Sequence, residues 1–148
     1  AHSQGFKEIF SFELQNLADL ALKSNNCFYE IYNAETGAVD GGWQLDHQWH
    51  SVHDQTWSAT GYIRMIFNNL FGMRFTPEGL TFNPDVELLN EYGVEKLSNL
   101  RYLNGRLNIT ISGKGSKLAA VKVNGKTQSI KKPIAPADGI TEIELIIK

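Results

Sequence analysis

One cysteine in 148 residues, Cys27, excludes an internal disulfide framework, since a bridge needs two thiols. There is no apolar run near the roughly 20 residues that a membrane-spanning helix requires, so no membrane partner is expected. An excess of charge of one sign is lacking as well. Fourteen Lys and Arg stand against sixteen Asp and Glu, spread along the chain with no basic stripe, so nucleic acid is not an expected partner. Gly-x-Ser-x-Gly, a phosphate loop and a dinucleotide fingerprint are all missing, and with them any sequence support for the chemistries they carry. No cofactor is expected. No internal repeat and no low-complexity tract interrupts the chain.

What is present reads as a folded chain. Hydrophobic residues make up 42% and charged residues 20%, a balance that can form a core and shows no sign of disorder. The hydrophobic period changes near Gly72. Before it, Phe6, Phe10, Leu14, Leu17 and Ala21 step by four, four, three and four, which predicts a helix from about Gln4 to Lys23. Ser24-Asn25-Asn26 stops it, because these side chains compete for local backbone bonds. Tyr62, Ile63, Ile66, Phe67 and Leu70 predict a second helix from about Thr56, capped by Asp54 or Thr56 and closed by Gly72.

Beyond Gly72 the period falls to two. Leu107, Ile109 and Ile111 alternate with polar residues, and Ile143, Leu145 and Ile147 do the same within Thr141 to Lys148. Lys117 to Val123 is a further strand, ended by the tight-turn pair Asn124-Gly125, and shorter candidates lie at 79–82 and 94–102. The expected fold class is therefore α+β, a helical hairpin followed by a C-terminal antiparallel β-sandwich. The domains expected are 1–74 and 75–148.

Residues 26–55 form an unusually long connection between two helices. It holds Phe28, Tyr29, Tyr32, Trp43 and Trp49, with Trp57 just beyond, a set that includes all three tryptophans of the chain. Glu30, Glu35, Asp40, Asp46 and Asp54 accompany them, with His47, His50 and His53. Aromatic faces beside carboxylates and amides suit a sugar, whose C–H face stacks while its hydroxyls need polar partners. The same aromatics would equally serve to pack a long loop onto the protein. The three histidines match no zinc signature and no cysteine pair supports them, so no metal site is expected.

Phe28-Tyr29-Glu30-Ile31-Tyr32-Asn33-Ala34-Glu35-Thr36-Gly37 resembles a motif of glycoside hydrolases built on the (α/α)6 barrel. Gln55-Thr56-Trp57-Ser58-Ala59-Thr60-Gly61-Tyr62 resembles the start of the final barrel helix in those enzymes. Gly79 to Pro84 and Leu97 to Gly113 resemble their C-terminal β-domain. Glycoside hydrolase family 63 and the related trehalase- and rhamnosidase-like six-hairpin enzymes are the families concerned. Ala34 departs from the motif, which has proline there.

The resemblance implies that the hairpin is the last of an (α/α)6 barrel. It also implies that the chain is the C-terminal part of an inverting hydrolase acting on an oligo- or polysaccharide. Glu30 would be the general base that deprotonates water, opposite a carboxylic acid typically ~6.5–9.5 Å away. Tyr32, Trp43, Trp49, His53, Gln55 and Trp57 would contact substrate. The acid would lie in the rest of the barrel, so the isolated chain is expected to be inactive. Its partners would be carbohydrate and either the remaining barrel or a second copy docked through the hairpin. The sequence specifies no compartment, and a periplasmic or extracellular location is compatible with the same resemblance. The alternative is a non-catalytic carbohydrate-binding or interaction module.

Overall fold

The computed structural model describes residues 5–33, 35–44 and 47–148, without the side chains of residues 40–44 and 47–49. The expected helix start at Gln4, the motif departure at Ala34 and the candidate carboxylate of Asp46 lie outside the described residues. The chain forms two compact units, Ala1–Met65 and Ile66–Lys148.

In the first unit, α1 runs from Lys7 to Lys23 and buries Phe10, Leu14 and Ala21 on one face. Leu17 is half-buried and Phe6 exposed, so the apolar stripe is narrower than its spacing predicts. α1 ends where the asparagines begin. Asn25 and Asn26 take left-handed φ values of 57° and 61°, a conformation asparagine tolerates better than most residues. The Asn26 amide bonds back to the Ala21 carbonyl at 2.7 Å.

The long connection has secondary structure of its own. Strand β1 (Asp40–Gln44) pairs antiparallel with β2 (His47–His50), with a register shift between Asp40 and Gly42. The two ends of the connection are laced together below this hairpin. The Glu30 amide donates to the Val52 carbonyl at 2.8 Å and the Gln55 amide to the Phe28 carbonyl at 2.8 Å. The buried Ser51 hydroxyl sits between them, accepting from the Ile31 amide and donating to the Ile31 carbonyl. Helix α2 (Thr56–Arg64) follows, with Gln55 at its N-cap position and no side-chain cap.

The chain continues as a π-helical turn, Met65–Leu70, and the second unit starts within it. Gly72 has φ +60°, and a Cβ on it would fall 1.7 Å from the Asn83 carbonyl oxygen. That close approach carries the bond from the Asn83 amide to the Gly72 carbonyl at 2.9 Å. Hairpin β3 (Met73–Thr76) and β4 (Gly79–Phe82) comes next, then a short helix α3 (Val86–Glu91). Asp85 caps α3 by accepting from the Leu88 amide at 3.2 Å. Asp85→Ala should therefore cost about 1 kcal/mol of stability in denaturant unfolding of the chain. An unchanged midpoint would show that the cap contributes nothing.

The remaining strands are β5 (Lys96–Tyr102), β6 (Gly105–Gly113), β7 (Leu118–Val123), β8 (Lys126–Gln128) and β9 (Gly139–Ile147). They make one sheet in the order β5-β6-β9-β7-β8. β6 and β9 are parallel over nine residue pairs, and the other neighbours are antiparallel. Leu107, Ile109, Val121, Ile143, Leu145 and Ile147 are buried along this sheet, with Phe71, Met73, Leu80 and Leu89 from the preceding elements. Asn124 and Gly125, at φ 48° and 78°, form the turn between β7 and β8, as a primed hairpin turn requires.

The expected fold is overturned on both counts. Among the described residues there is one long helix and no helical hairpin. The second helix is nine residues long, buries none of them, and is not packed along α1. α2 leaves Trp57 and Ile63 exposed instead of burying them against α1, and its Tyr62 meets Phe28 from the connection at a ring separation of 5.1 Å. Nor is the β-region an antiparallel sandwich, since β9 inserts between β6 and β7 and makes a mixed sheet. Alternation of apolar and polar residues is the same for both strand directions, so it does not report this insertion.

Candidate functional site

α1 and the segment 30–37 enclose an open groove of about 630 Å³ in the first unit. α1 contributes Glu13, Asn16, Asp19 and Lys23 from one side of the helix, stepping by three, three and four. The facing segment contributes Glu30, Tyr32, Asn33 and Glu35. This segment is held in shape by Asn33. Its side-chain oxygen accepts from the amides of Glu35 and Thr36, both at 2.9 Å, and its own amide reaches the Ala38 carbonyl. The Tyr32 hydroxyl accepts from the Tyr29 amide at 2.8 Å, and the two rings meet edge to face.

Electrostatics limit what the groove can hold. Among the described residues, four carboxylates (Glu13, Asp19, Glu30 and Glu35) line it against a single cation, Lys23. Anions are disfavoured and neutral or cationic polar ligands are favoured. Phe12, Leu17, Leu20 and Ile31 supply apolar surface among these polar groups.

Of the residues singled out from sequence, Glu30 and Tyr32 both line this groove. His53, Gln55 and Trp57 do not. His53 is exposed, its Nδ1 lying 2.8 Å from an Asp54 carboxylate oxygen and its ring edge-on to Tyr29. Gln55 is half-buried at the start of α2. Trp57 is 63% exposed in the first turn of that helix. Trp43 and Trp49 fall in β1 and β2, and their side chains lie outside the described residues.

Asp54 does not cap α2. It has a left-handed φ of 58°, and its carboxylate is engaged by His53 and by the Cys27 thiol at 3.2 Å. The bond from His53, and after it the bond from Cys27, hold its carboxyl below the usual range.

The α1 side of the groove was not anticipated from sequence. Its signal was available as the three-and-four spacing of Glu13, Asn16, Leu20 and Lys23, a second stripe beside the buried one. For Cys27 and Asp54 no local signal exists, because they meet across 27 positions. No family model matches the chain, and no curated protein does either.

Proposed function

We propose that the chain forms part of an inverting glycoside hydrolase, with Glu30 as general base and the groove beside α1 as one wall of the sugar site. The observation that carries this reading is that Glu30 lines a polar groove together with Tyr32 and Asn33. A carboxylate, an aromatic and an amide are the groups that inverting hydrolysis and sugar binding require together. The likeness of residues 28–37 and 55–62 to glycosidase motifs supports the same reading. The groove's four carboxylates and one lysine point to a neutral oligo- or polysaccharide in preference to a uronate or phosphorylated sugar.

General acid chemistry comes from a carboxyl group outside this chain in the same polypeptide. Phe6, and on α1 Ile9, Phe12 and Leu22, are each more than half exposed. Apolar surface of this kind is what the rest of such an enzyme would cover. A second reading, a binding module without chemistry, is favoured by one observation, the exposed ring of Trp57, which is free to stack on a sugar face.

The isolated chain is expected to bind neutral oligosaccharides weakly and to turn over none of them. Nuclear magnetic resonance titration with neutral and uronate oligomers, beside an activity screen on aryl glycosides, tests both statements. Shifts confined to 13–23 and 30–37 with the neutral series support the reading. Preference for uronates, or shifts only around Trp57, would remove the groove from consideration.

A further inference from the structure

Among the described residues, one group of side chains has the donor set of a metal site: Cys27, His53 and Asp54. Their ligand atoms all lie within 4.8 Å of one another. The sulfur is 3.2 Å from Asp54 Oδ1, and the other carboxylate oxygen is 2.8 Å from His53 Nδ1. We infer that Cys27 Sγ, one oxygen of Asp54 and a ring nitrogen of His53 bind a zinc ion, with the fourth position open to solvent.

The chemistry of the donors selects the ion. A thiolate rejects calcium and magnesium, which take oxygen ligands, whereas a thiolate, an imidazole and a carboxylate together suit zinc. Zinc bonds of roughly 2.0–2.3 Å to these atoms imply tetrahedral donor separations of roughly 3.3–3.8 Å. The observed contacts are within a side-chain rotation of that arrangement. His53 and Asp54 are 70% and 76% exposed along their side chains, so both are free to make the adjustment.

The sulfur is the fixed member. Cys27 is half-buried, and the Asp54 amide donates to its sulfur at 3.1 Å. That N–H stabilises a thiolate as well as a thiol, and so supports the bound form from the surrounding shell. On binding, the thiol proton passes to solvent, while the carboxylate and neutral imidazole coordinate through lone pairs. Of the histidine series in the sequence (47, 50, 53), His53 belongs to this group and the side chain of His47 lies outside the described residues, while the cysteine comes from the other end of the connection. A bound ion would therefore tie residue 27 to residues 53–54, clamping the connection that carries Glu30.

Calorimetry with zinc on the full chain, and cobalt(II) absorption as a probe of sulfur ligation, test the site. One zinc per chain is expected, with a sulfur-to-cobalt charge-transfer band in the near ultraviolet. Cys27→Ser should abolish the band, and Cys27→Ser, His53→Ala and Asp54→Asn should each weaken zinc binding by roughly tenfold or more. His53→Ala alters an exposed side chain and keeps the test valid if Cys27→Ser does not fold. Absence of zinc binding by the unaltered chain overturns the assignment. So does binding that persists unchanged in Cys27→Ser or His53→Ala, because the ion then sits elsewhere.

Discussion

On the proposed reading of Glu30 as general base, Glu30→Gln in the full-length protein is expected to lower turnover by roughly 10²–10⁴-fold while substrate binding is retained. The size follows from the role. A general base acts on the proton of the attacking water, a motion that belongs to the transition state and contributes little to the ground-state complex. The amide keeps the shape of the carboxylate and its hydrogen-bonding capacity but cannot accept the proton. Steady-state kinetics with a neutral oligosaccharide measure the effect. Azide or formate added to the Glu30→Gln enzyme should restore part of the rate by acting in place of the missing carboxylate. Near-normal turnover would sink the assignment. A raised KM with turnover unchanged would mean that Glu30 binds substrate and does not carry the proton.

A second large effect is expected far from the groove. Gly72→Ala should destabilise the second unit by about 3–5 kcal/mol. Two costs add. The residue sits at φ +60°, which an alanine side chain resists, and its Cβ would overlap the Asn83 carbonyl at 1.7 Å. Asn83 is held by its bond to the Gly72 carbonyl, and the Asp85 amide bonds to the Leu70 carbonyl just beyond, so neither strand of this crossing can retreat. Urea unfolding followed by circular dichroism reports the loss. Gly125→Ala is the control. Its φ is +78°, but nothing lies within 4 Å of an added Cβ there, so it carries the backbone cost without the overlap. Similar losses in the two proteins would show that the clash at Gly72 relaxes away.

How far the sequence reaches depends on the separation of the residues involved. The end of α1 at Ser24-Asn25-Asn26, the alternation in β6 and the turn at Asn124-Gly125 are each encoded within a few neighbouring residues, and each reads directly from the chain. The hairpin β1–β2 does not. Asp40-Gly41-Gly42 carries two glycines and an aspartate, residues with poor strand propensity, and the pairing rests on the laced ends below it. The apolar spacing of 62–70 matches a helix face, but a spacing does not report a change from α to π hydrogen bonding at Met65. At the groove, Glu30 and Tyr32 sit within one short aromatic segment that draws notice by composition alone. Their neighbours from α1 look like an ordinary solvated helix face until the facing segment is placed beside them.

The position of β9 bears on the order in which the second unit can form. Its sheet consists of two hairpins, β5–β6 and β7–β8, joined only through the strand that follows both in the chain. Until β9 is available, Leu107 and Ile109 on one hairpin and Val121 on the other have no common sheet to close. Each hairpin would present an open edge to any neighbouring chain. In this strand order β6 and β7 come to share a sheet only when β9 lies between them, so closure needs the last strand of the five. Such long-range closure is slow compared with local hairpin formation, and the interval before it is when the chain is most exposed to mispairing.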